Sequence, residues 1–113
     1  MKVLITGGAG MLGGGVKRWL RYGDEVVPEP EGDLPRYVNA WTGAVDVDVV
    51  APEWAAWAVS SGAESVVHCA ALTGSDKCGS DPEGAIRSNV LGARAVVDAC
   101  RTSGIPRLFV ATT

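Results

Sequence analysis

Metal-ligand clusters are the first thing this sequence lacks. Its single histidine, His68, is joined only by Cys69, Cys78 and Cys100, and no two of these cysteines have the CxxC spacing. A structural zinc site needs four clustered thiolate or imidazole ligands, so no metal is expected. An odd number of cysteines without a spacing pattern reads as reduced thiols in a cytosolic protein. Long apolar runs are missing as well, and none could cross a bilayer. Met1 to Ile5 lead straight into glycines, without the charged and apolar regions of a secretion signal, so the expected compartment is the cytoplasm. A positive field is also absent. The net charge of -3 gives nucleic acid or an anionic membrane nothing to bind.

What is there fits one globular unit. A chain of 113 residues can bury one core but not two. Short β-like runs alternate with helical patterns, the mark of a parallel sheet covered by helices. Lys2 to Ile5 is a strand running into a glycine turn. Leu12 to Tyr22 is a helix with Leu12, Val16, Trp19 and Leu20 on one face. Glu25 to Val27 is a second strand, cut off by Pro28 and Pro30, and Glu29 to Pro35 is a loop. Ala44 to Val50 is the third strand. Pro52 opens a helix in which Trp54, Trp57 and Ala58 share a face. Ser65 to Cys69 is the fourth strand and Ala70 to Ser80 a polar loop. Asp81 and Pro82 start a helix whose Ile86, Val90, Ala93, Val97 and Cys100 make a core face. Gly104 ends it, and Arg107 to Ala111 is the fifth strand.

The densest signal lies between the first strand and the first helix, in Thr6-Gly7-Gly8-Ala9-Gly10-Met11-Leu12-Gly13. Binding a phosphate there takes backbone N–H groups aimed at it, no Cβ in the way, and a helix N-terminus behind. Gly7 serves the tight turn, Gly10 the approach of the pyrophosphate, and Gly13 the close packing of helix on strand. Gly8, Gly10 and Gly13 also satisfy G-x-G-x-x-G, a weak pattern alone that gains force from its strand–turn–helix setting. NAD or NADP is the expected cofactor. The acid that would face the adenosine ribose falls near Pro30, between Glu29 and Glu31, which read equally as solvated loop charges. Arg36 is the alternative, facing a 2′-phosphate, so the choice between NAD and NADP stays open.

Five blocks in order give the chain a wider likeness. They are Thr6 to Gly13; Asp46-Val47-Asp48; His68-Cys69-Ala70-Ala71; Ser88-Asn89-Val90-Leu91-Gly92; and Phe109 to Thr113. With them the chain resembles the N-terminal part of an extended short-chain dehydrogenase/reductase of the NAD-dependent epimerase/dehydratase type. The fold so implied is an α/β Rossmann-type doubly wound parallel sheet of about five strands, ordered 3-2-1-4-5. Residues 1–113 would be one partial NAD(P)-binding domain, without its C-terminal strands and substrate domain. The resemblance gives Gly7, Gly10 and Gly13 to the pyrophosphate, with backbone help from Met11 and Leu12. It gives Asp48, with Asp46 as rival, to the adenine amino group and Val49 to the ring. Ala70 and Ala71 would line the cofactor, and Thr113 falls on the catalytic Ser/Thr. His68 reads as a buried, hydrogen-bonded residue rather than a general base, and Asn89 as a residue that bonds backbone groups.

The same likeness exposes a gap. The chemistry it implies uses a tyrosine with a lysine four residues on, which lowers a phenol pKa of about 10. Tyr22 is followed at that distance by Val26 and Tyr37 by Trp41. The function expected is therefore the NAD(P)-binding portion of a sugar-nucleotide epimerase, dehydratase or reductase acting by hydride transfer at a sugar carbon. This chain alone is expected to show no turnover. The alternative is a non-catalytic dinucleotide-binding module with a sensing or interface role. Expected partners are a nucleotide-sugar substrate for the complete enzyme and a second copy in a homodimer, with no nucleic acid and no membrane.

Overall fold

The computed structural model describes residues 1–20, 23–28, 34–39 and 43–111. At its centre is β1 (Lys2–Thr6), where Val3, Leu4 and Thr6 are buried. It pairs in parallel on one side with β2 (Glu25–Val26) and on the other with β5 (Ser65–His68), which pairs in turn with β6 (Arg107–Val110). The register sets Thr6 beside His68 and Val3 beside Val26. The four-stranded sheet thus runs β2-β1-β5-β6, the 2-1-4-5 part of the order read from sequence.

The expected third strand goes elsewhere. It is shorter, β4 (Val45–Val47), and pairs antiparallel with β3 (Arg36–Val38) in a separate two-stranded sheet. A parallel strand covered on both faces is apolar throughout. The alternating carboxylates of Asp46 and Asp48 suit a ribbon with one wet face instead.

Helices α2 (Pro52–Ser60) and α5 (Gly92–Ser103) pack on the sheet. Trp54, Ala58, Val96 and Ala99 meet Leu4 and Val66 in the core. Trp54 supplies the largest buried side chain there. Between β5 and α5 lie α3 (Ser75–Ser80), within the segment read as loop, and α4 (Pro82–Ile86). Asp81 caps α4, accepting the Gly84 N–H at 3.0 Å, with Pro82 in the first turn. Gly104 takes the left-handed conformation that closes α5.

Arg87–Leu91, between α4 and α5, form a π-helical turn. Its wider turn rotates every later side chain about the helix axis. The buried face is therefore Gly92, Val96, Ala99 and Cys100, while Ile86 and Val90 are exposed, unlike the face read from unbroken α-periodicity. In α1 (Met11–Leu20) the anticipated apolar face is likewise open, with Leu12 and Trp19 exposed and only Gly13 buried. No helix among the described residues is long and apolar enough to cross a membrane.

Candidate functional site

Beyond the carboxyl ends of β1 and β5 opens a cleft of about 940 Å³. Open parallel sheets bind ligands at that end. Its first wall is the glycine turn. Gly7 has φ 69°, and a Cβ there would meet the Ala70 nitrogen at 2.7 Å, so only glycine lets the turn lie against the end of β5. A Cβ at Gly13 would collide with the Gly7 carbonyl oxygen. That carbonyl accepts the Gly10 N–H at 3.0 Å, closing the turn. Met11 and Leu12 follow in the first turn of α1, where a helix has no internal acceptor for its N–H groups.

Thr6 locks this wall to β5. Its Oγ1 accepts the Cys69 and Ala70 N–H groups, each at 3.2 Å, and lies 2.7 Å from His68 Nδ1. With both lone pairs filled, the hydroxyl proton goes to Nδ1, which places the neutral imidazole's own proton on Nε2. Burial lowers the His68 pKa and favours this neutral form. Burial also raises the thiol pKa of Cys69 and Cys100.

The opposite wall comes from β4 and the bulged helix. Arg87 holds Asp48 with two hydrogen bonds, Nη1 to Oδ1 at 3.1 Å and Nη2 to Oδ2 at 2.6 Å. The Asp48 carboxylate raises the Arg87 pKa through that bonding. Asp48 Oδ1 also accepts the Val50 N–H at 3.1 Å. Next to it Val49 is buried, and a Cβ at Gly92 would stand 3.3 Å from its Cγ2, so helix and strand approach closely. From the same π-turn, Asn89 accepts the Leu72 N–H at 2.8 Å and donates to the Leu72 carbonyl at 2.9 Å. This fixes the segment that follows Ala70 and Ala71.

The cleft gathers all nine residues assigned to the cofactor from sequence: Gly7, Gly10, Met11, Leu12, Gly13, Asp48, Val49, Ala70 and Ala71. It also separates the two rival acids. Asp48 turns to Arg87, whereas Asp46 Oδ1 accepts the Ala9 N–H of the glycine turn at 3.0 Å. Thr113, Tyr22, Glu29 and Glu31 lie outside the described residues. Arg87 is a site residue that sequence reasoning misses. Its only signal is its place two residues before Asn89 and one helical turn or so from Gly92. No cluster of metal-ligating side chains is present among the described residues.

A parallel α/β sheet with a glycine turn over the central strand defines a dinucleotide-binding class. Residues 3–113 match the NAD dependent epimerase/dehydratase family, and the chain belongs to that family. It is 32% identical over 114 residues to a 2-alkyl-3-oxoalkanoate reductase of Stenotrophomonas maltophilia (strain K279a), covering all of this chain and 33% of that protein. Among solved structures it resembles a UDP-glucose-4-epimerase from Stenotrophomonas maltophila crystallised with NAD and formylated UDP-arabinopyranose. There the TM-score is 0.76 and the identity 27%, over 100% of this chain and 37% of that one. The UDP-glucose 4-epimerase of Thermus thermophilus, in complex with NAD, gives a TM-score of 0.71 at 29% identity, covering 96% of this chain and 36% of that chain. The chain thus spans about a third of the length of these relatives.

Proposed function

We propose that this chain is the dinucleotide-binding portion of an NAD(P)-dependent epimerase, dehydratase or reductase. The observation that carries this reading is the cleft over the carboxyl ends of β1 and β5, where the glycine turn, Asp48-Val49 and Ala70-Ala71 converge. The residues fit the cofactor. Gly7, Gly10 and Gly13 keep side chains away from the pyrophosphate, and the Met11 and Leu12 N–H groups offer it the positive end of α1. Asp48 supplies an acceptor for the adenine amino group, and Val49 and Ala70 supply apolar walls. When bound, NAD or NADP provides the ring that takes hydride from, or returns it to, a substrate carbon.

For the complete enzyme, two epimerase structures in complex with NAD support a nucleotide-sugar substrate. A second reading, reduction of a carbonyl in a non-sugar acid, draws on the reductase that is 32% identical. A cytoplasmic setting fits the three free thiols. Calorimetric titration of the 113-residue chain with NAD should give saturable one-site binding. Gly10→Glu should abolish it by adding bulk and negative charge beside the turn. Equal binding by the variant would refute the assignment.

A further inference from the structure

We propose that His68 makes dinucleotide binding proton-dependent: the wall formed by the glycine turn and the end of β5 holds the cofactor while the imidazole is neutral and loosens once it is protonated. The inference rests on the dinucleotide reading of the cleft. Its physical basis is the Thr6 hydroxyl, which has one hydrogen to donate and two lone pairs to fill. Neutral His68 accepts that hydrogen at Nδ1, 2.7 Å away, and the Cys69 and Ala70 N–H groups donate to the lone pairs. In the imidazolium both ring nitrogens carry a proton. Nδ1 then aims a third N–H at the same oxygen, and the hydroxyl hydrogen loses its acceptor. The Cys69 N–H keeps the Thr6 carbonyl, which accepts it at 3.2 Å. The Ala70 N–H has only Thr6 Oγ1 among the described residues. Ala70 is also the residue against which Gly7 packs, and the Gly7 carbonyl accepts the Gly10 N–H at 3.0 Å. A proton on one buried ring thus reaches the phosphate turn through Thr6 and Ala70.

Among the described residues no carboxylate compensates the added charge. His68 is 5% exposed, and its neighbours in register are Thr6 of β1 and Val110 of β6, neither of them ionisable. Lys2 and Arg107 begin those two strands, at the end of the sheet away from His68. From α5 the buried face is Gly92, Val96, Ala99 and the Cys100 thiol, while Arg94, Asp98 and Arg101 are exposed. Glu53 of α2 is exposed as well. Arg87 of the π-turn is bonded to Asp48 of the β4 segment, and Asp46 accepts the Ala9 N–H. Burial raises the pKa of the Cys69 and Cys100 thiols, which stay neutral in acid, and burial is what lowers that of His68. The sign follows from linkage. A cofactor that prefers the neutral imidazole lowers the His68 pKa by the same factor by which protonation weakens its binding.

The test reads both sides of that linkage. His68 is the single histidine of the chain, so its imidazole proton resonances are unambiguous. Their pH titration in the folded wild-type chain, with and without saturating NAD, should show the pKa falling by about 0.7 unit on binding, the equivalent of about fivefold in affinity. Calorimetry across the same pH range should show Kd for NAD rising toward that fivefold limit as His68 is protonated. His68→Asn places an amide oxygen where Nδ1 accepts and does not titrate, so its Kd should stay flat over that range. A His68 pKa unmoved by NAD overturns the inference, as does a His68 that takes no proton before the chain unfolds. A pH dependence that survives unchanged in His68→Asn overturns it too, and the wild-type titration decides the matter if that variant does not fold. If NAD binds and Gly10→Glu abolishes it while the His68 pKa stays put, only this inference falls. If wild type binds no NAD at any pH, the dinucleotide reading falls and takes the inference with it.

Discussion

Along the glycine turn and the end of β5, the cleft is fixed by backbone contact and buried hydrogen bonds. Gly7 lies against Ala70, Gly13 lies under the Gly7 carbonyl, and Thr6 joins both strands through a hydroxyl that is shared three ways. Across the cleft, β4 and the bulged helix meet through Asp48 and Arg87, whose side chains are 14% and 43% exposed. The first wall has no room for an added atom at Gly7 or Gly13 and has little sensitivity to salt. The second is held by charges in partial contact with water, where an ion pair is worth little and is screened. A site that needs a fixed phosphate cradle and a selective base pocket can be assembled from these two kinds of wall.

Four substitutions or conditions would break or sharpen that contrast. The largest effect belongs to Gly13→Ala, whose methyl group meets the Gly7 carbonyl oxygen. Urea unfolding should show a loss of about 3 kcal/mol, the scale of overpacking against rigid backbone. Thr6→Val keeps the shape and strands the Ala70 N–H group and His68 Nδ1, while the Cys69 N–H keeps the residue 6 carbonyl at 3.2 Å. A loss of about 2 kcal/mol is expected in the same assay, as for buried groups left unpaired.

Acid should act next, and on the first wall. Burial lowers the His68 pKa from 6.5, so the unfolded chain takes up a proton before the native one does. The stabilisation is complete above pH 6.5 and is lost as pH falls from there toward the depressed native value. The slope from this group cannot exceed about 1.4 kcal/mol per pH unit, and His68→Gln should remove it from the pH dependence of the unfolding midpoint.

Arg87→Met should have the smallest effect on stability, under about 1 kcal/mol for a partly exposed pair. Its signature lies in binding, because Arg87 acts as a positioning residue for Asp48. NAD affinity should fall about fivefold, within the range of a charge-assisted hydrogen bond weakened rather than lost. A hypoxanthine dinucleotide, with a carbonyl in place of the adenine amino group, should bind both proteins alike. Equal losses for the two ligands would reduce Arg87 to a structural support.

Local chemistry explains which parts of this arrangement the sequence discloses. The glycine turn is legible because each glycine answers a steric demand within a short stretch of chain. Asp81 with Pro82 and the closing Gly104 announce helix ends by the same local logic. The place of β4 is not legible, since alternating Val and Asp shows a strand with two unlike faces but not its partner. The core face of α5 escapes detection because a π-turn leaves no mark in apolar spacing and shifts every later position. Arg87 and Asp46 become meaningful only through tertiary contacts, 39 residues away in the case of Arg87 with Asp48 and 37 in that of Asp46 with Ala9.

The claim that both walls close on one dinucleotide is most directly tested by mapping amide chemical shifts during NAD addition. Saturable shifts at Met11 and Leu12 on one wall and at Asp48 and Val49 on the other, with a common Kd, are the expected result. Shifts confined to one wall, or none at saturating NAD, would contradict it.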